Sequence, residues 1–407
     1  MPIPQRKNMK ILILQHAWAI NCHTSQLATA LCSKGHEVHL FTNLAPDPYS
    51  HMPQPDRNLR IHEVTPDPAQ YNETLGGLGP LEQIQSHYPL SAKEYNLARK
   101  LKAFYLLSAD HITAGCPDAD LCIGIEKGGL LWAHHLHKAT GVPYIYYSLE
   151  LYPPSVLRPD TLLCTMAKLE PPAHREATGT IIQCDDRANY LYAANKVPPR
   201  NTMVMPVSIT PPQISSIPPP WGGQKACILF GHSRLDAGQV TDLEAILPED
   251  YIFYSHVPGP DMGFQRIPER RTSRLFTSDA LLSEEKIHAL LRNARVGFCW
   301  YHADNANNRL TAFASEKTAR CLAAGLPILA NADSNFPSLF AEFRCGETIR
   351  EMDDIPEALA KIDSSYEAYC NAALQAFQKY YSFPVNFDKL HDSLHTLIHS
   401  HRPLRQP

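Results

Sequence analysis

No apolar run in the 407-residue sequence approaches the ~20 residues of a membrane-spanning helix, which excludes that class of integral membrane protein. A basic excess is also missing. Thirty-seven Lys and Arg face 41 Asp and Glu, for a net charge of −4, which argues against a general nucleic-acid binder but leaves room for a local anion pocket. The opening Met1-Pro-Ile-Pro-Gln-Arg-Lys-Asn8 lacks the apolar stretch of a secretory leader. The eleven cysteines show no Cys-x-x-Cys pair and no Cys/His ligand spacing, and their number is odd. Several sit in apolar strand-like runs (Cys122, Cys227, Cys299), so they read as reduced, buried thiols of a cytoplasmic protein, and no metal site is expected. Neither a P-loop spacing nor a Gly-x-Gly-x-x-Gly follows any first strand, which disfavours ATP held by a P-loop and NAD held by the usual fingerprint.

What is present is a core-forming composition, 44% hydrophobic and 19% charged, with 35 prolines and 20 histidines. Proline at that level without repeats points to long ordered loops. Strand and helix signals alternate. Lys10-Ile-Leu-Ile-Leu14 is a buried-strand pattern, residues 24–34 have helical spacing, and Glu37-Val-His-Leu-Phe-Thr42 is a second strand, together a βαβ unit. Asp120-Leu-Cys-Ile-Gly-Ile125, a helix over 129–139, Tyr144-Ile-Tyr-Tyr147, Thr180-Ile-Ile-Gln183 and Met203-Val-Met205 continue the plan. Six prolines in residues 206–220 interrupt it and read as a linker. The alternation then restarts with Ala226-Cys-Ile-Leu-Phe230, Tyr251-Ile-Phe-Tyr254, a helix over 283–295, Val296-Gly-Phe-Cys-Trp300, a helix over 316–324 and Pro327-Ile-Leu-Ala330. The expectation is an α/β protein of two doubly wound parallel-sheet domains facing a central cleft. The first spans 1–205, the linker 206–222 and the second 223–383, and a tail helix over 384–407 crosses back to the first. Ligands of such sheets bind at the carboxyl ends of the strands.

Functional candidates therefore lie just after strands. In the second domain Ser315 can cap a helix that carries Lys317 and Arg320 three residues apart, with Arg309 in the preceding loop. Three cations near a positive helix end suit a diphosphate, although a solvated helix start with ordinary surface cations has the same pattern. Gly231-His-Ser-Arg234 follows the first strand of that domain and puts Ser233 and Arg234 within reach of a phosphate. In the first domain His16 and His23 lie between strand one and helix one, where they can act in acid/base or hydroxyl-binding roles. Glu126 and Glu150 end two further strands, and each can orient a sugar hydroxyl, act as a base or simply cap a helix. His391, His395 and His399 recur every four residues on the tail helix, but no further ligand is evident beside them.

The order of these stretches resembles the GT-B glycosyltransferases, specifically the retaining family 4 group. The resemblance rests on Lys10 to Leu14 with Gly35-His-Glu-Val-His-Leu-Phe-Thr42, on the run from Asp120 to Tyr152, and on the helix and strand from Ser283 to Trp300. Asn307-Asn-Arg309, Ser315-Glu316-Lys317 and Leu322-Ala-Ala-Gly-Leu-Pro327 complete it, so that about 330 residues are covered. It implies a second domain that binds a nucleotide-sugar, UDP-linked first and GDP-linked second, as a co-substrate and not a cofactor. Lys317 then falls at the donor phosphates beside Ser315 and Glu316, Arg234 near the family's Gly-Arg element, and Phe276 where the base lies. Glu126 falls on the acidic position of the first-domain loop and Glu150 on a family Glu. Arg320 stands where the family has the Glu that binds the donor ribose, Leu149 replaces a family His, and Asn21-Cys22 replaces a glycine pair.

The resulting expectation is a cytoplasmic, metal-independent, retaining hexosyltransferase. Lys317, Arg309, Arg234 and the helix start at Ser315 would stabilise the leaving diphosphate, with Ser233, Phe276, Glu316 and Arg320 also on the donor side. Glu126 and His16 are the candidate catalytic groups, and His23 and Glu150 the acceptor-side ones. The acceptor is a glycan, a lipid-linked sugar or a small molecule, with peripheral membrane contact left open. The loops over 46–68 and 76–92 would line its pocket. A sugar-nucleotide epimerase of the same fold and a degenerate nucleotide-sugar-binding subunit are the alternatives.

Overall fold

The computed structural model describes residues 8–17, 19–43, 51–81, 88–212, 218–231, 237–256, 274–278, 282–301 and 304–401. The chain divides into two compact units, Met1–Met205 with Phe387–Pro407, and Pro206–Asn386. Among the described residues no helix is long and apolar enough to cross a membrane.

The first unit is built on seven strands: β1 (Lys10–Gln15), β2 (Glu37–Thr42), β3 (Leu59–Glu63), β4 (Leu121–Ile125), β5 (Tyr144–Tyr147), β6 (Gly179–Ile182) and β7 (Thr202–Val204). Their spatial order is β3-β2-β1-β4-β5-β6-β7, with every pair parallel. The central strands are buried almost throughout, as both faces of a parallel sheet carry helices, so an unbroken apolar run and not an alternating one encodes them. The strand order reverses between β1 and β4, which makes their carboxyl ends the natural ligand position of this unit. The edge strand β3 lies within the proline-rich stretch 46–68, which the sequence reads as a loop; three of its five residues are exposed and none is buried, so it gives no buried-strand signal.

The second unit repeats the plan with six strands among its described residues: β8 (Lys225–Phe230), β9 (Tyr251–His256), β10 (Leu275–Ser278), β11 (Val296–Cys299), β12 (Ile328–Asn331) and β13 (Gly346–Ile349). The order β10-β9-β8-β11-β12-β13 is again all parallel and reverses between β8 and β11. The proline-rich segment joins this unit: the Val207 amide donates to Phe313 O (2.9 Å), the Ile209 amide to Tyr381 O (3.0 Å), and Val207, Ile209 and Trp221 are buried. The last helix, Phe383–His401, begins in the second unit, and its residues from Phe387 onward group with the first.

One junction sets the carboxyl end of the first sheet. The helix Glu126–Thr140 starts immediately after β4, without a connecting loop. This is sterically open only because Gly129 has no side chain: a Cβ there would lie 2.2 Å from the Leu14 carbonyl oxygen of β1. Gly129→Ala is therefore expected to lower stability by about 3 kcal/mol, through overpacking against backbone that cannot step aside. Urea denaturation measures it, and an unchanged midpoint contradicts the packing described.

Burial also holds several histidines of the first unit neutral. His16, His36, His134 and His174 have their pKa lowered to about 4, chiefly by burial. A folded-state value below the ordinary ~6.5 means that the unfolded chain binds the extra protons between those limits, so stability is lost as pH falls from about 6.5 toward 4. Glu126, raised to about 7 by burial, acts in the opposite direction as a single group. The melting temperature is expected to fall by several degrees between pH 7 and pH 4.5; a flat profile over that range contradicts the neutral histidines.

Candidate functional site

In the first unit, the carboxyl ends of β1 and β4 carry His16 and Glu126. Glu126 adopts φ +59°, a left-handed conformation that costs a side-chain-bearing residue about 1–3 kcal/mol and is commonest at functional sites. Its Oε1 accepts two backbone hydrogen bonds, from Leu149 N (2.5 Å) and Glu150 N (2.8 Å). Burial raises its pKa to about 7, with Lys127 opposing and Glu150 adding to the shift, so the carboxyl changes charge near neutral pH.

His16 packs over the start of the same helix, in the space left by Gly128, whose Cβ would come within 2.9 Å of the His16 Cβ. The ring stacks on Phe104 with centroids 4.8 Å apart. Its Nδ1 lies 2.9 Å from Tyr105 Oη, and Tyr105 donates its only proton to Gly128 O at 3.2 Å. With the Tyr105 proton directed to Gly128 O, Nδ1 carries the ring proton and Nε2 the lone pair. Burial lowers the His16 pKa to about 4, so a neutral, oriented base is present at pH 7. His23 is half-buried in the first turn of helix Cys22–Ser33, a helix capped by the Asn21 side chain, which accepts from Thr24 N at 2.8 Å. The Glu150 side chain is exposed, on the loop after β5 whose amides Glu126 holds.

In the second unit, Ser315 caps helix Glu316–Ala323 by accepting from Thr318 N at 3.1 Å. Lys317 lies beside that cap with its ammonium 4.7 Å from the centre of the Tyr301 ring, and Tyr301 and Ser315 share a hydroxyl–hydroxyl hydrogen bond of 2.5 Å. A Cβ on Gly231, just after β8, would be 3.7 Å from Lys317 Cε, so the lysine stem runs along the carboxyl end of the sheet where the strand order reverses. Burial lowers the Lys317 pKa. A desolvated cation at a positive helix end gains more from an anion than one in water does.

Arg320 is placed differently from its neighbour. It is 9% exposed, and its guanidinium is held by Glu316 (Nε to Oε1, 2.9 Å) and by Glu284. Burial works against its charge, but the two carboxylates outweigh that and raise its pKa. Its charge is thus matched within the protein, and Glu316 serves it. Arg309 is exposed at the end of the one-turn helix Ala306–Arg309. Phe276 is half-buried on the edge strand β10, packed against the unit's core. Ser233 and Arg234 lie outside the described residues.

The tail histidines meet a partner that spacing could not reveal. His391 and His395 come together with the buried His36, whose Nε2 is 2.9 Å from His391 Nε2. The Met9 amide donates to His36 Nδ1 (3.0 Å), so His36 carries its proton on Nε2 and donates to His391. A metal at Nε2 would require a proton on Nδ1, facing the Met9 N–H, so these donors do not fit a metal.

Other residues absent from the expectations shape the site. Tyr301 lies over Lys317, and its amide donates to Asn331 Oδ1 at 2.6 Å. Tyr105 Oη bonds His16 Nδ1, and Lys127 and Arg187 reach the loop that carries Glu150. Lys127 had a signal, adjacency to Glu126. Tyr105 and Arg187 are 89 and 38 residues from their partners and had none.

No protein-family model matches this sequence, and no curated protein matches it. Solved structures do. A sucrose-phosphate synthase of Thermosynechococcus elongatus aligns with a TM-score of 0.65 at 12% identity, over 96% of this chain and 100% of that one. A trehalose 6-phosphate synthase of Burkholderia multivorans aligns at 0.63 and 16% identity, over 97% and 100%. Anabaena HepE, solved with UDP-glucose, aligns at 0.60 and 13%, over 95% and 100%. With its two all-parallel α/β units, this chain has the fold of the GT-B glycosyltransferases.

Proposed function

We propose that the protein is a glycosyltransferase that moves a sugar from a nucleoside diphosphate-sugar to an acceptor hydroxyl. The observation that carries this reading is Lys317, half-buried beside the Ser315-capped helix start at the switch point of the second sheet, with its Cε against Gly231. Departure of a nucleoside diphosphate develops negative charge on the leaving phosphate, and a preorganised cation and helix dipole stabilise it without reorganising in the reaction. Lys317 and the helix start do this in a metal-independent transfer. The exposed Arg309 is available to swing toward the same group. Arg320 is assigned a structural role, holding Glu316 and Glu284 in place, and not phosphate binding. The donor base is assigned to the face at Phe276, with UDP before GDP because HepE was solved with UDP-glucose.

On the first unit, His16 Nε2 is the lone pair that orients or deprotonates the acceptor hydroxyl, and Glu126 holds the loop of Glu150 beside it. Retention of the anomeric configuration is the proposed stereochemical course. A single observation favours a second reading, that of a nucleotide-sugar-binding subunit: the carboxylate of Glu316 is already engaged by Arg320. Binding of UDP-glucose without turnover for any acceptor would favour it.

Lys317→Ala is expected to weaken UDP-glucose binding at least tenfold by calorimetry, with an unchanged circular dichroism spectrum; wild-type affinity in the variant contradicts the donor site. His16→Gln is expected to lower transfer roughly 100-fold, the usual size of a lost general base, while donor affinity stays within twofold. Transfer at the wild-type rate would remove His16 from the chemistry.

A further inference from the structure

The segment after β5 has no regular structure, yet six consecutive backbone groups of residues 148–150 are held. The Ser148 amide donates to Ile181 O (3.1 Å), and the amides of Leu149 and Glu150 both donate to Glu126 Oε1. The carbonyls are taken by three different side chains: Ser148 O accepts from Gln183 Nε2 (2.6 Å), Leu149 O from Arg187 (2.6 Å) and Glu150 O from Lys127 Nζ (3.0 Å). Those three side chains belong to residues that are 0%, 1% and 2% exposed.

This arrangement is a costly way to hold a loop. Two cations are buried for it, and burying a cation costs several kcal/mol before any partner is counted. Lys127 is compensated by Glu170 at 3.6 Å, itself 4% exposed and accepting from Tyr146 Oη (2.9 Å) and Asn195 Nδ2 (3.2 Å). Gln183 gives its amide to the loop while its own buried Oε1 accepts nothing among the described residues. An apolar contact of similar volume would be as stable or more so. What the polar version adds is a fixed backbone path at the carboxyl end of the sheet, with one exposed carboxylate, Glu150, at its tip.

We propose that Lys127, Gln183 and Arg187 are positioning residues that fix residues 148–150 so that Glu150 meets a hydroxyl of the sugar acceptor. This rests on the transferase reading above. Lys127 ties the two acids together, since it follows Glu126 in the chain and holds the carbonyl of the residue whose amide Glu126 holds. Gln183 and Arg187 come from the ends of the neighbouring strand and helix, so the loop is triangulated from three elements.

The test uses the double variant Lys127→Met/Glu170→Gln, which neutralises both buried charges and retains an acceptor for Tyr146 and Asn195. Three quantities are measured on the full chain: melting temperature, hydrogen exchange of the Leu149 and Glu150 amides, and transfer from UDP-glucose to a panel of free hexoses. The expected result is a melting temperature within a few degrees of wild type, exchange at least tenfold faster at both amides, and an acceptor KM raised at least tenfold with donor affinity unchanged. Lys127→Arg, which restores a donor to Glu150 O, should return exchange to within threefold of wild type. Wild-type exchange and wild-type acceptor KM in the double variant overturn the proposal. Should the double variant not fold, Gln183→Leu is read in its place, with exchange at least threefold faster expected and unchanged exchange overturning it. If the wild type neither binds nor turns over UDP-glucose, the transferase reading fails, and the exchange data still decide whether these side chains hold the loop.

Discussion

The structure depends on how closely the helix Glu126–Thr140 approaches the central strands of its own sheet. A Cβ at Gly129 would collide with Leu14 O, and one at Gly128 with His16. Because this approach is allowed, the chain turns from β4 into the helix without a loop, with Glu126 held in a left-handed conformation. Three consequences arise from one junction. The Glu126 carboxylate reaches the amides after β5, Lys127 reaches a carbonyl of the same loop, and His16 settles on the helix start with its Nδ1 bonded to Tyr105 Oη. Two chemistry-bearing residues of the first unit, His16 and Glu126, therefore share one steric origin although they are far apart in the chain.

The second unit resolves a question of charge. Lys317 and Arg320 lie three residues apart on one short helix, yet burial treats them differently. Arg320 recruits Glu316 and Glu284, and its pKa rises. Lys317 sits against an aromatic ring and beside buried thiols, and its pKa falls. A cation already matched by two carboxylates offers little to an incoming diphosphate. Mere proximity to a helix start would have assigned both to the donor.

Much of the fold was legible in the sequence because parallel sheets bury both faces, so β1, β4, β5, β8, β11 and β12 stand out as apolar runs bounded by turn residues. The edge strands β3, mostly exposed, and β13, buried at only two of its four residues, escaped that signal. Helices such as Leu162–Glu176, which contains Pro171 and Pro172, contradict local propensity and exist through tertiary packing. The site was legible to the extent that strand ends are readable: Glu126, His16, Ser315 and Lys317 follow strands or open helices. The pairing of Arg320 with Glu284 spans 36 residues, and the hold of Arg187 on the loop spans 38, and no local pattern encodes such partners.

The central claim, that the start of helix Glu316–Ala323 with Lys317 receives the donor diphosphate, is tested most directly by an experimental structure with UDP-glucose bound. The expected result is a phosphate oxygen within ~3 Å of Lys317 Nζ, with Arg320 still paired to Glu316 and Glu284. A diphosphate bound elsewhere on the second unit, or one that draws Arg320 from its carboxylates while Lys317 makes no contact, would contradict the account.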